Sequence, residues 1–145
     1  MRIALLLISA CLAAQAQFKA SSTCKFLTPE DAAAVIGAGA KLVTAIENGG
    51  CTYKVGNKTL TVAQPATLSD RRALEMGYEA SAKEDGKPLP GIGDRAHIKK
   101  GNTGYQILCL KGNTMGGVEA YGDGMLTEAA AKQLAEAAKK VAAKL

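Results

Sequence analysis

Three Gly-Asn pairs, Gly56-Asn57, Gly101-Asn102 and Gly112-Asn113, sit between short apolar runs and constrain the fold more than any other feature of this chain. Both residues tolerate the positive φ that tight antiparallel hairpins demand. Two of the pairs belong to a repeated Lys-Gly-Asn-Thr, at 100–103 and 111–114. They punctuate "DRAHIK", "GYQILCLK" and "GGVEAYG", which read as consecutive antiparallel strands. The middle one sets Tyr105, Ile107 and Cys109 on one face and Leu108 and Leu110 on the other, so it is expected to be central and buried on both sides.

Upstream, "KLVTAIE", "CTYKV" and "TLTVAQ" form a second set of strands, separated by Asn48-Gly49-Gly50 and Gly56-Asn57. Thr52 and Lys54, then Thr59 and Thr61, alternate with apolar neighbours, the pattern of a sheet with one buried face. A helix starts where Thr28 caps Pro29, Glu30 and Asp31, and it should stop at Gly37. A second is expected over Leu68 to Lys83, with Ala73, Met76, Gly77 and Ala80 on one face beside Leu74 and Tyr78. The third opens at Leu126-Thr127-Glu128 and carries the stripe Leu134, Ala138, Val141, Leu145, while Lys139, Lys140 and Lys144 complement its negative end. The order predicts a single α+β domain, a mainly antiparallel sheet with helices on one side. "LT" followed by an acid opens both terminal helices, which suggests a duplicated αβββ unit.

Residues 1–16, MRIALLLISACLAAQA, have the basic start, apolar run and A-x-A ending of a secretory signal peptide, with cleavage expected after Ala16. The apolar run is too short to span a bilayer. Ile8-Ser9-Ala10-Cys11 resembles the lipobox of bacterial lipoproteins, so acylation of Cys11 is the alternative exit. Residues 17–145 then make one globular domain, and loss of Arg2 takes the formal charge from +5 to +4. Three cysteines remain, an odd count that in an oxidising compartment implies one disulfide and one free thiol. Cys24 precedes the first helix and Cys51 opens the second strand, so their bridge would pin that helix to the sheet. Cys109, in a buried strand, is left as the inert thiol. With one histidine and no C-x-x-C, no metal site is expected.

"PLPGIGDRAHI", residues 88–98, is the densest cluster of special residues. Pro90, Gly91, Gly93 and Asp94 read as a structural turn, with Asp94 expected to bind the turn's own amides. Beyond it Ala96 and Ile98 share one face, and Arg95, His97 and Lys99 the other. A histidine between two cations is poorly placed to bind a proton or a metal. "GAGAKL" at 37–42 follows a helix and has Leu42 where a dinucleotide loop needs its third glycine. No G-x-S-x-G or penicillin-binding serine motif occurs, and no cofactor is expected. Specific nucleic-acid binding is not expected either. The mature arginines are only Arg71, Arg72 and Arg95, tryptophan is absent, and no basic run alternates with aromatics.

"CKFLTPEDAAAVIG", "GGCTYKV", "PGIGDRAHI", "KGN" in a hairpin and a C-terminal amphipathic helix together resemble small exported bacterial proteins and lipoproteins of unknown function, which carry a cysteine before an "LT..EA" helix. The resemblance implies the same Cys24–Cys51 pairing, an exported location and no catalytic residues. The chain is therefore expected to be a periplasmic or secreted binding module, or a membrane-anchored lipoprotein, that contacts a protein or cell-envelope component without catalysis. A proteinaceous inhibitor of a secreted hydrolase is the alternative. A small hydrolytic or redox enzyme is a third class, and it would need His97 or Cys109 exposed in a cleft beside complementary groups.

Overall fold

A computed structural model describes residues 18–145; the expected signal peptide at 1–16, with Cys11, lies outside the described residues. The described residues form α1 (Pro29–Ile36), β1 (Lys41–Ala45), β2 (Cys51–Val55), β3 (Lys58–Val62), β4 (Ala66–Thr67), α2 (Arg71–Ala82), β5 (Lys87–Pro88), β6 (Arg95–Lys100), β7 (Gly104–Lys111), β8 (Thr114–Tyr121) and α3 (Glu128–Ala143). All strand pairings are antiparallel, in the order β1-β2-β3-β8-β7-β6-β5, with β4 extending the β3 side along β8. This is the single α+β domain that the strand and helix signals predict.

The helix ends follow their local chemistry. Thr28 accepts the Asp31 amide at 3.2 Å while Asp31 accepts the Thr28 amide at 3.0 Å, a reciprocal capping box. Thr127 accepts the Ala130 amide at 3.1 Å. The second helix starts three residues later than its composition suggests. Asp70 caps it by accepting the amides of Arg72 and Ala73, and the Leu68 amide is already bonded to Asn113 O at 3.0 Å, continuing the β4 pairing. The hairpins at Gly56-Asn57 and Gly112-Asn113 have two-residue loops in which only the glycine has positive φ, +56° in each, as in a type II′ turn. Gly101-Asn102 opens a longer loop that is closed by Gly101 N–H to Gly104 O at 2.8 Å.

Two three-stranded meanders, β1-β2-β3 and β8-β7-β6, join at the middle through β3 and β8. One face of this sheet carries Tyr53, Leu60, Val62, Ile107, Cys109 and Val118, and it packs under α1 and α3 as the main core with Leu134, Ala138 and Val141. The Cys24–Cys51 disulfide fastens the segment before α1 to β2. That segment is also held by Tyr53 Oη–H to Leu27 O at 2.7 Å and by Lys144 Nζ to the carbonyls of Lys25 and Phe26.

One-sided packing describes α1 and α3. The remaining helix, α2, lies across the opposite face, where Leu74 and Tyr78 close a second cluster over Leu108, Leu110 and Met115. Its buried positions are thus Leu74 and Tyr78, while Met76 is 65 % exposed. The strand halves keep the symmetry of a duplicated unit, since a two-fold axis between β3 and β8 exchanges them. The helices do not: that axis preserves faces, so α3 stands where a copy of α1 would, and α2 does not repeat α1.

Candidate functional site

The Pro88–Ile98 stretch is built as an interlock. Gly91 and Gly93 have φ of +80° and +58°. A Cβ on Gly93 would stand 2.5 Å from Leu110 O, so only glycine lets the turn lie on β7. Asp94 N–H closes the turn on Leu110 O at 2.7 Å. The Asp94 carboxylate does not serve its own turn. It accepts the Gly112 amide at 2.8 Å in the neighbouring hairpin and faces Arg71 at 3.4 Å. The Gly112 amide, then Arg71, hold its pKa below the ordinary value. Arg71 also donates to Gly112 O, so three segments distant in sequence share one knot.

His97 points to the face that α2 covers, and it is 2 % exposed. Its ring meets Tyr78 edge-on at 4.7 Å, Nε2 lies 3.3 Å from Ser81 Oγ, and the buried Nδ1 has no hydrogen-bond partner. Burial, then Lys99 and Arg95, push its pKa down against the opposing pull of Glu79. Arg95 stands over the Tyr78 ring and pairs with Glu79 at the rim of a cleft of about 380 Å³ that Pro88 and Pro90 complete. Cys109, on the other face, is 2 % exposed, and burial raises its pKa to about 11. Its sulfur faces Gly116 O at 3.7 Å. Neither His97 nor Cys109 presents a reactive atom to solvent, and the structure does not bring them to a common cleft.

What the pairing does bring together is a row of polar side chains that sequence reading left scattered. Alternation puts Thr52, Lys54, Thr59 and Thr61 on the face away from α1 and α3. Register then aligns Thr44 with Thr52, Thr52 with Thr61, Thr61 with Glu119, Glu119 with Gln106 and Gln106 with Lys99. The row crosses six strands. Thr52 and Thr61 hydroxyls lie 3.3 Å apart, and a second row beneath carries Lys41, Lys54 and Tyr121. Because α2 covers only the β6–β8 end at Leu108 and Leu110, the rest of this face stays open.

At the β6–β7 turn the open face deepens into a cleft of about 310 Å³ between Lys99, Asn102, Gln106, Glu119 and the 41 % exposed Tyr121. Among the described residues, Lys41, Lys54, Lys99, Gln106 and Glu119 make no side-chain hydrogen bond or ion pair. Elsewhere Lys132, Lys139 and Lys140 are each paired with a carboxylate. The Thr/Lys alternation in β2 and β3 signalled half of this surface. The β3–β8 pairing that completes it joins segments far apart in the chain and has no local signature. Comparison with protein-family models, curated proteins and solved structures finds no match to this chain.

Proposed function

We propose that the chain is an exported binding module, periplasmic or secreted, that engages a protein or cell-envelope component through the open polar face of its sheet. The observation that carries this reading is the row from Thr44 to Lys99: donors and acceptors aligned across six strands, joined to one another only at Thr52–Thr61, with Lys99, Gln106 and Glu119 unpaired among the described residues, beside an exposed tyrosine and a cleft. Antiparallel sheets commonly leave one face to water. Here α2 covers the apolar part of that face and leaves the hydrogen-bonding part free. The Cys24–Cys51 disulfide fits an oxidising compartment, and among the described residues no helix is long and apolar enough to cross a membrane. The leader at 1–16 and the resemblance to small exported bacterial proteins support the same location.

Photo-crosslinking in intact producing cells tests the reading. A photoreactive side chain in place of Thr61 or Gln106 is expected to yield a discrete adduct, and one in place of the exposed Met76 on α2 none. Equal yields at both surfaces would overturn it. Intact mass settles the exit route: a chain starting at Gln17 with one disulfide is the free form, and a lipidated start at Cys11 the tethered one.

A further inference from the structure

Charge in this protein is divided by secondary structure. The strands carry one cationic side chain each on β1, β2, β3, β5 and β7 and three on β6, against a single carboxylate, Glu119 on β8. The other acids lie on helices, caps and turns. Of the strand cations, Lys41, Lys54 and Lys99 project on the open face with Thr52, Thr61 and Gln106. Lys54 on β2 and Lys99 on β6 are four strand spacings apart, about 19 Å at ~4.8 Å per strand. Positive charge therefore stands at both ends of the row, and neutral donors and acceptors fill its middle.

We infer that this face binds an acidic glycan, a linear polysaccharide bearing carboxylates, laid across the strands. The inference rests on the binding-module reading and names its ligand. Glu119 selects the class. It sits mid-row without a cation partner, so a bare polyanion would set like charge against it. A glycan brings hydroxyls, which donate to Glu119 and to the Gln106 and threonine oxygens, together with carboxylates that accept from the lysines. Tyr121 offers a ring face to the apolar side of a sugar at the cleft. An anionic membrane finds little to anchor it, since among the described residues the exposed large aliphatic side chain of the strands here is the single Val43 at the β1 bulge. Lys41 and Lys54 are exposed and Lys99 is half-buried, so their contacts with the ligand are screened and binding weakens with added salt.

The purified exported protein is titrated with polygalacturonate, with dextran as neutral glycan, with polyphosphate, and with phosphatidylglycerol vesicles. Polygalacturonate is expected to bind best, and Lys41→Gln and Lys54→Gln to weaken it about two- to fivefold each, as exposed ion pairs do. Glu119→Gln is the deciding variant. It is expected to weaken polygalacturonate while strengthening polyphosphate. Stronger polygalacturonate binding by Glu119→Gln, tighter binding of vesicles or polyphosphate by the native chain, or no glycan binding at all would each overturn the ligand class. Adduct formation at position 61 in cells is independent of that result, so a failed ligand class and a failed binding surface give different outcomes. Unchanged melting temperatures confirm that each variant folds.

Discussion

Replacing Cys24 and Cys51 together by alanine removes the one covalent cross-link among the described residues. The bridge closes a loop of 27 residues. On the chain-entropy relation that constraint is worth about 3.5 kcal/mol of unfolded-state entropy at 25 °C. For a domain of about 130 residues, unfolding entropy near 60 °C is roughly 0.27 kcal/mol per kelvin, so the melting temperature should fall by about 13 °C. Alanine is preferred to serine because Cys51 is buried, where an unpaired hydroxyl would add its own penalty. Calorimetry on the native protein, the double variant and Cys109→Ala provides the comparison. The segment before α1 has other anchors, the Tyr53–Leu27 bond and the Lys144 contacts, and these keep the double variant native in shape. If the double variant melted within 3 °C of the native protein, the anchors rather than the bridge would be restraining the loop, and the entropic account would be wrong.

Acidification should destabilise the fold through His97. Its folded pKa is depressed, so the neutral ring is fully compatible with the fold above the ordinary value of 6.5, and stability is lost as pH falls through that value towards the folded one. The charges acting on it are Arg95 and Lys99 from its own strand and Glu79 from α2, while the neutral Tyr78 ring packs edge-on against it. Melting temperature followed from pH 8 to pH 5 should slope for the native chain and flatten for His97→Gln, and parallel profiles would count against the assignment. Gly104→Ala should cost about 3 kcal/mol or more, because its Cβ would lie 1.8 Å from Ala120 O. Gly112→Ala, with φ of +56° and open space around it, should cost only about 1–2 kcal/mol. Urea midpoints rank the two, and the reverse order would refute the packing argument. The Cys109 thiol should resist alkylation in the native protein and react at once in denaturant; rapid native labelling would mean that the α3 face opens.

Caps and hairpins were legible in the sequence because their chemistry is local: Thr28 with Asp31, Thr127 ahead of Glu128, and glycine at 56 and 112 each decide a turn within four residues. The disulfide was legible because the predicted element order brought Cys24 beside Cys51. The placement of α2 was not read correctly, although the signal was present. A strand with Ile107 and Cys109 on one face and Leu108 and Leu110 on the other needs cover on both sides, which helices confined to one face cannot give. Taken together, those two expectations demand that one helix cross over, and α2 does so with Leu74 and Tyr78. The burial of His97 follows from that crossing, since the β6–β7 register sets it opposite Leu108 on the face that α2 covers. The open surface follows as well. Once a twelve-residue helix has spent its two buried side chains on the β6–β8 end, Thr59 is buried but Thr52 and Thr61 beside it are left half-buried at the surface. Their polarity is what lets them remain uncovered, so the position of α2 fixes both the core it completes and the face it leaves for a partner.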